Sequence, residues 1–137
     1  MRLASLGWRP DMLKFYSKRK KQAHPEARLQ KVIVSHLLMN DAFYFSIPNE
    51  SKRSPIMGAH LKAMGLYPGI ADLGIVVDGK IHFLEVKAGD GVQSASQRDF
   101  AARCVIEKIP YKCVYNLTDA LKTLSEWRAI KPVREVA

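Results

Sequence analysis

The sequence predicts an α/β fold, a mixed β-sheet flanked by helices on both faces. Three observations carry that expectation. Helical and extended patterns follow one another in the order α, β, α, β, β, α, β, α. Two extended segments meet at Asp78-Gly79, a strong two-residue hairpin signal. Both faces of that hairpin are apolar, with Val76, Ile81 and Phe83 on one and Leu73, Ile75, Val77, Leu84 and Val86 on the other, so each face needs cover. The length of 137 residues, 47% of them hydrophobic, suits one domain with a real core.

Residues 1–23 form a separate basic arm. They hold Arg2, Arg9, Lys14, Lys18, Arg19, Lys20 and Lys21 against Asp11 alone. A run such as Lys18-Arg19-Lys20-Lys21 repels itself and rarely packs. It reads either as a solubilising tail or as a phosphate-binding arm, with Trp8, Phe15 and Tyr16 available for packing or stacking. The domain proper spans 24–137.

A helix should begin near Pro25, since proline is tolerated in a first helical turn. Leu29, Val32, Ile33, His36 and Leu37 follow at helical spacing, which puts Glu26 on the inward face at the helix N-terminus. A carboxylate there also complements the helix dipole. Phe43 to Ile47 reads as a short strand and Pro48 to Ser54 as a polar loop. Ser54-Pro55 opens a helical segment ending at Gly65, and Gly65-Leu66-Tyr67-Pro68-Gly69 is a turn. The apolar residues from Met57 to Tyr67 are expected to pack on the sheet, with a subunit interface as the alternative. The hairpin strands run Asp72 to Val77 and Lys80 to Lys87. Gly89 to Gln93 is a flexible loop, after which Ser94 or Ser96 caps a helix to about Lys108. Pro110 to Asn116 is a strand, and Asp119 to Ile130 a final helix.

The balance of 22 Lys and Arg against 13 Asp and Glu gives a formal charge of +9, which favours a polyanionic partner such as nucleic acid. No apolar run reaches membrane-spanning length, so the expectation is a soluble cytoplasmic protein with no membrane partner. Cys104 and Cys113 are the only cysteines, and His24, His36, His60 and His82 are scattered, so a zinc site is not expected.

The hairpin brings carboxylates together. With Asp78-Gly79 as the loop, Val77 faces Lys80 and Asp72 faces Glu85 in a non-hydrogen-bonded pair, with Cα atoms roughly 4.5 Å apart. Two opposed carboxylates repel each other unless a cation lies between them. Lys87 shares their face. Mg²⁺ commonly takes one or two carboxylates and leaves its other positions to water and phosphate. The simpler alternative is an exposed polar cluster in which Lys87 pairs with Glu85 for little gain.

Asp72, then twelve residues, then Glu85-Val86-Lys87 resembles the PD-(D/E)XK nuclease signature. Asn49, Arg53, Leu61-Lys62-Ala63-Met64-Gly65, Gly69-Ile70-Ala71-Asp72, Phe83-Leu84-Glu85-Val86-Lys87 and Ser96-Gln97 together resemble the VRR-NUC family, over roughly residues 24–124. The resemblance implies a restriction-endonuclease-like fold and Mg²⁺- or Mn²⁺-dependent hydrolysis of phosphodiesters. It implies Asp72, Glu85 and the Val86 carbonyl as metal ligands, Lys87 as catalytic lysine, and Glu26 and Gln97 as further residues of the catalytic site. Lys18, Arg19, Lys20, Lys21 and Arg53 are the expected nucleic-acid contacts. Small members of this family resemble homodimeric resolvases of four-way DNA junctions, which points to branched DNA and to a bacterial or phage-infected cell. Ala71 departs from the usual proline and Glu50 from a common glycine. Other readings are a flap or single-strand nuclease, a catalytically inactive nucleic-acid-binding module, and a basic protein-interaction domain.

Overall fold

The computed structural model describes residues 25–48 and 54–132. Eight elements follow in the expected order. They are α1 (Pro25–Met39), β1 (Phe43–Ser46), α2 (Pro55–Ala63), β2 (Leu73–Val77), β3 (Lys80–Val86), α3 (Ala95–Ile106), β4 (Tyr111–Val114) and α4 (Leu117–Glu126). One mixed four-stranded sheet runs β1-β2-β3-β4. β1–β2 and β2–β3 are antiparallel, and β3–β4 is parallel, with α3 as the crossover that parallel neighbours require.

The hairpin register is the one its turn dictates, from Val77 opposite Lys80 to Leu73 opposite Leu84. Asp78 and Gly79 both have positive φ, 52° and 75°, as a type I′ turn demands. Strand alternation then divides the core into two layers. Leu73, Ile75, Leu84, Val86 and Val114 pack with Ile33 and Leu37 of α1 and Ala120 and Leu124 of α4. On the other face Phe83 packs with Phe100 and Cys104 of α3, with Ile81 and Tyr111 alongside. Gly74 has no side chain because the Phe45 ring lies directly over it.

The ends of the helices are set by side-chain caps. The Ser54 hydroxyl accepts the Met57 N–H, with Pro55 in the first turn of α2. Ser94, not Ser96, caps α3, and Gln97 closes a capping box with it. Asn116 caps α4, so that helix begins at Leu117 and ends at Glu126, ahead of the expected 119–130. Both bounds shift because the Asn116 side chain accepts the Asp119 N–H and Arg128 turns to φ 62°.

Two expectations fail. Val32 is 42% exposed and points away from the core that Ile33 and Leu37 join. The segment from Met57 to Tyr67 does not pack into the core: α2 has no buried residue, and Met57, Met64 and Tyr67 are exposed. Apolar spacing says which residues favour burial and nothing about what stands opposite them. Among the described residues, Tyr67 makes an edge-on aromatic contact with Phe100.

Candidate metal centre

The site lies at the open end of the hairpin, where the ladder stops. Asp72 immediately precedes β2. Its carbonyl accepts the Ile47 N–H at 2.8 Å, which continues the β1–β2 pairing by one step. Its carboxylate does what a backbone carbonyl would do further along, since Oδ2 accepts the Val86 N–H at 2.8 Å. Asp72 is therefore fixed to the strand that carries Glu85.

Glu85 is only 2% exposed. Gln97, in the first turn of α3, donates from Nε2 to Glu85 Oε1 at 3.0 Å. Glu85 Oε2 is buried with no hydrogen-bond donor among the described residues. Burial, then the Asp72 charge and a carboxyl–carboxyl contact with it, push the Glu85 carboxyl far above the ordinary carboxylate range; Lys87 pulls it down and Glu26 pushes it further up. A cation, or a proton shared with Asp72, would satisfy Oε2.

Lys87 follows on the same face and is half-buried; its N–H donates to the Val114 carbonyl at 2.9 Å, so its backbone is held by β4. Among the described residues it forms no direct ion pair; the ion pairs there are Arg103–Glu107 and Arg128–Asp78. Glu26 reaches the site from the first turn of α1. With Gln30, Ser46, Asp72 and Val86 it lines a cavity of about 220 Å³ at this end of the sheet. The Glu26 carboxylate also lies against the loop after β3: a Cβ on Gly91 would fall 2.9 Å from its Oε1.

Asp72, Glu85, Val86, Lys87, Gln97 and Glu26 thus converge at one end of the sheet. Lys18, Arg19, Lys20, Lys21, Asn49, Glu50 and Arg53 lie outside the described residues. Among the described residues no trio of His, Cys, Asp and Glu is gathered in a metal-holding arrangement. The donors that do converge are two carboxylates from opposed strands, one with an orphaned buried oxygen, which is a donor set that suits Mg²⁺ or Mn²⁺.

Three further neighbours complete the site, two of them not legible in the sequence. Cys113 sits opposite Glu85 in the parallel ladder. Its thiol is pushed up, first by burial. Tyr111, two residues earlier, shares that face; Gln93 Nε2 donates to its hydroxyl at 2.6 Å, and burial, then the Glu85 charge, raise it. Ser94 completes the Gln97 cap. For the first two, the missing signal was which strand lies beside β3; for Ser94, the capping-box spacing to Gln97 was present.

No protein-family model matches the chain, and neither a curated protein nor a solved structure matches it. Among the described residues no helix is long and apolar enough to cross a membrane.

Proposed function

We propose that this protein is a Mg²⁺- or Mn²⁺-dependent deoxyribonuclease with a restriction-endonuclease-like fold, of the VRR-NUC type, acting on branched DNA as a homodimer. The observation that carries the reading is Glu85. A carboxylate 2% exposed, opposed by Asp72 and left with one oxygen unsatisfied, destabilises the cation-free fold and is explained by an ion that satisfies it.

In this reading Asp72, Glu85 and the Val86 carbonyl would hold the ion. When bound, the ion neutralises the scissile phosphate and acidifies water at its surface. The remaining roles fall to the chain itself. Gln97 holds Glu85 Oε1, so the carboxylate presents its other oxygen in one orientation. The Lys87 ammonium, uncommitted to any described carboxylate, stabilises charge as it develops on the phosphate or orients the attacking water. Glu26, on the cavity wall, accepts hydrogen bonds from water. The formal charge of +9 supports a phosphate-rich partner. Two cuts in a four-way junction are related by a two-fold axis, which a C₂ dimer supplies; exposed Met57 and Met64 on and after α2 are available for its interface.

Incubation with junction, flap, splayed-arm and linear duplex DNA, in Mg²⁺, Mn²⁺ or EDTA, tests the reading. Metal-dependent cleavage with a preference for junctions is expected. Binding without cleavage in all three conditions would replace it with a non-catalytic DNA-binding module. Light scattering at micromolar concentration checks the dimer, and a clean monomer that makes paired junction cuts would rule it out.

A further inference from the structure

If Glu85 keeps one oxygen for an ion, its other oxygen must be held, and Gln97 holds it. The Gln97 amide is fixed at both ends. Its Oε1 accepts the Ser94 N–H at 2.8 Å and its Nε2 donates to Glu85 at 3.0 Å. Its own N–H donates to Ser94 Oγ at 3.2 Å. The first turn of α3 and the Gln97 side chain are therefore one rigid piece, and the seating of that turn on the sheet decides whether Glu85 is clamped.

The turn is seated against Gly69. This residue is buried, has φ +76°, and stands three positions before Asp72. A Cβ at residue 69 would fall 2.5 Å from the Gln97 nitrogen and closer still to the Ser96 carbonyl group. These are backbone atoms and cannot swing aside. Gly79 is the instructive contrast. It has nearly the same φ, +75°, yet a Cβ there would meet nothing within 4 Å. Backbone conformation explains a glycine at 79, whereas at 69 the close approach of two backbones also demands one.

We propose that Gly69 is a positioning residue of the carboxylate pair: its missing side chain locks the approach to Asp72 against the helix turn that clamps Glu85, and it acts on Glu85 through Gln97. The proposal rests on the reading of Asp72 and Glu85 as a cation site.

The test is calorimetric titration of the metal-free full-length protein with Mn²⁺ alone, beside thermal melting, for wild type, Gly69→Ala, Gly79→Ala, Gln97→Met and the Gly69→Ala/Gln97→Met double variant. Gly69→Ala and Gln97→Met should each weaken Mn²⁺ binding roughly 10- to 100-fold, the usual cost of losing an outer-shell partner. Gly79→Ala carries the same φ strain without the clash, so it should lose stability and keep wild-type affinity. The double variant should lose no more than the weaker-binding single variant, because both changes cut one link. A folded Gly69→Ala with wild-type affinity, an equal loss in Gly79→Ala, or additive losses would overturn the proposal and leave the cation site standing. Unchanged affinity in Gln97→Met overturns it whether or not Gly69→Ala folds. A Gly69→Ala chain with no cooperative melt makes Gly69 a residue of the whole fold and likewise overturns it. A wild type that takes up no Mn²⁺ removes the cation site itself.

Discussion

The two ends of the β2–β3 hairpin are built on opposite principles. At the turn, Asp78 and Gly79 adopt the positive φ values that their residue types favour, and an exposed Arg128–Asp78 ion pair closes the tip. Both charged side chains there are exposed and paired with each other. At the open end the same strands bring Asp72 and Glu85 together, bury Glu85 and leave one of its oxygens unsatisfied. The tip sets the register, and the register delivers to the other end a like-charge pair that folding alone would avoid. Local rules are broken in this way where function demands it, and this supports the proposed cation site. If that contrast is right, changes at the open end should alter chemistry strongly and stability oppositely to expectation, while changes at the tip should do little.

The largest effect is expected from neutralising either carboxylate. Asp72→Asn or Glu85→Gln should lower DNA cleavage by at least roughly 10²- to 10³-fold, the scale of losing one electrostatic group in a transition state. Folding and DNA binding should persist. At alkaline pH, where Glu85 is charged, the metal-free Glu85→Gln protein should melt no lower than wild type, because an amide removes a buried like-charge contact. Wild-type cleavage by Asp72→Asn would remove the open end's special standing. Next comes Lys87→Ala, expected to reduce turnover by about 10²-fold while changing Mn²⁺ affinity much less, since the ammonium acts on developing charge. Equal losses in both would make Lys87 a partner of Glu85 alone.

A smaller effect follows from proton linkage. The folded state raises the Glu85 carboxyl above its ordinary value of 4.5. Above that value the folded state holds a proton that the unfolded state has released, so this group's contribution to stability is full at acid pH and is lost as pH rises toward its folded pKa. The metal-free protein should therefore melt a few degrees lower at pH 8.5 than at pH 5.5. Glu85→Gln should flatten that slope, and Mn²⁺ should restore most stability at the alkaline end, where the site is charged. A melting midpoint that rises with pH in wild type but not in Glu85→Gln would mean that the buried carboxylate is already satisfied.

The same contrast explains what the sequence made legible. Turn chemistry is local, so Asp78-Gly79 fixed every hairpin pair from Val77–Lys80 to Leu73–Leu84, and with them the facing of Asp72 and Glu85. Strand alternation likewise assigned Leu73, Ile75, Leu84 and Val86 to one layer and Phe83 to the other. Non-local placement was not legible. Nothing in the chain says that β4 lies beside β3, so Cys113 and Tyr111 could not be assigned to the neighbourhood of Glu85. Nor does the apolar content of Met57 to Tyr67 say that α2 has no buried residue. Gly69 could be read as a turn residue and as part of the motif leading into Asp72, but not as a contact of α3, because the backbone it meets is nearly thirty positions further along the chain.

The smallest effect belongs to the tip. The Arg128–Asp78 pair spans 50 residues of sequence and is short, at 2.5 Å, yet its side chains are 78% and 70% exposed. Water screens such a pair, and ordering two mobile side chains offsets much of the attraction, so Arg128→Ala should cost under about 1 kcal/mol. Arg128 has φ 62°, a strain that alanine shares, so the difference isolates the ion pair from the backbone. Salt sharpens the test. At 1 M NaCl the screening length is about 3 Å, and the two proteins should melt together. Cleavage should not change. The five residues of β2, Leu73–Val77, separate Asp78 from Asp72, so six residue steps span roughly 20 Å of extended chain, twice the screening length of about 10 Å at 0.1 M salt. A loss above about 2 kcal/mol, or a change in cleavage rate at constant metal, would show that the tip is coupled to the carboxylates through the strands and would end the division of the hairpin into a folding end and a chemical end.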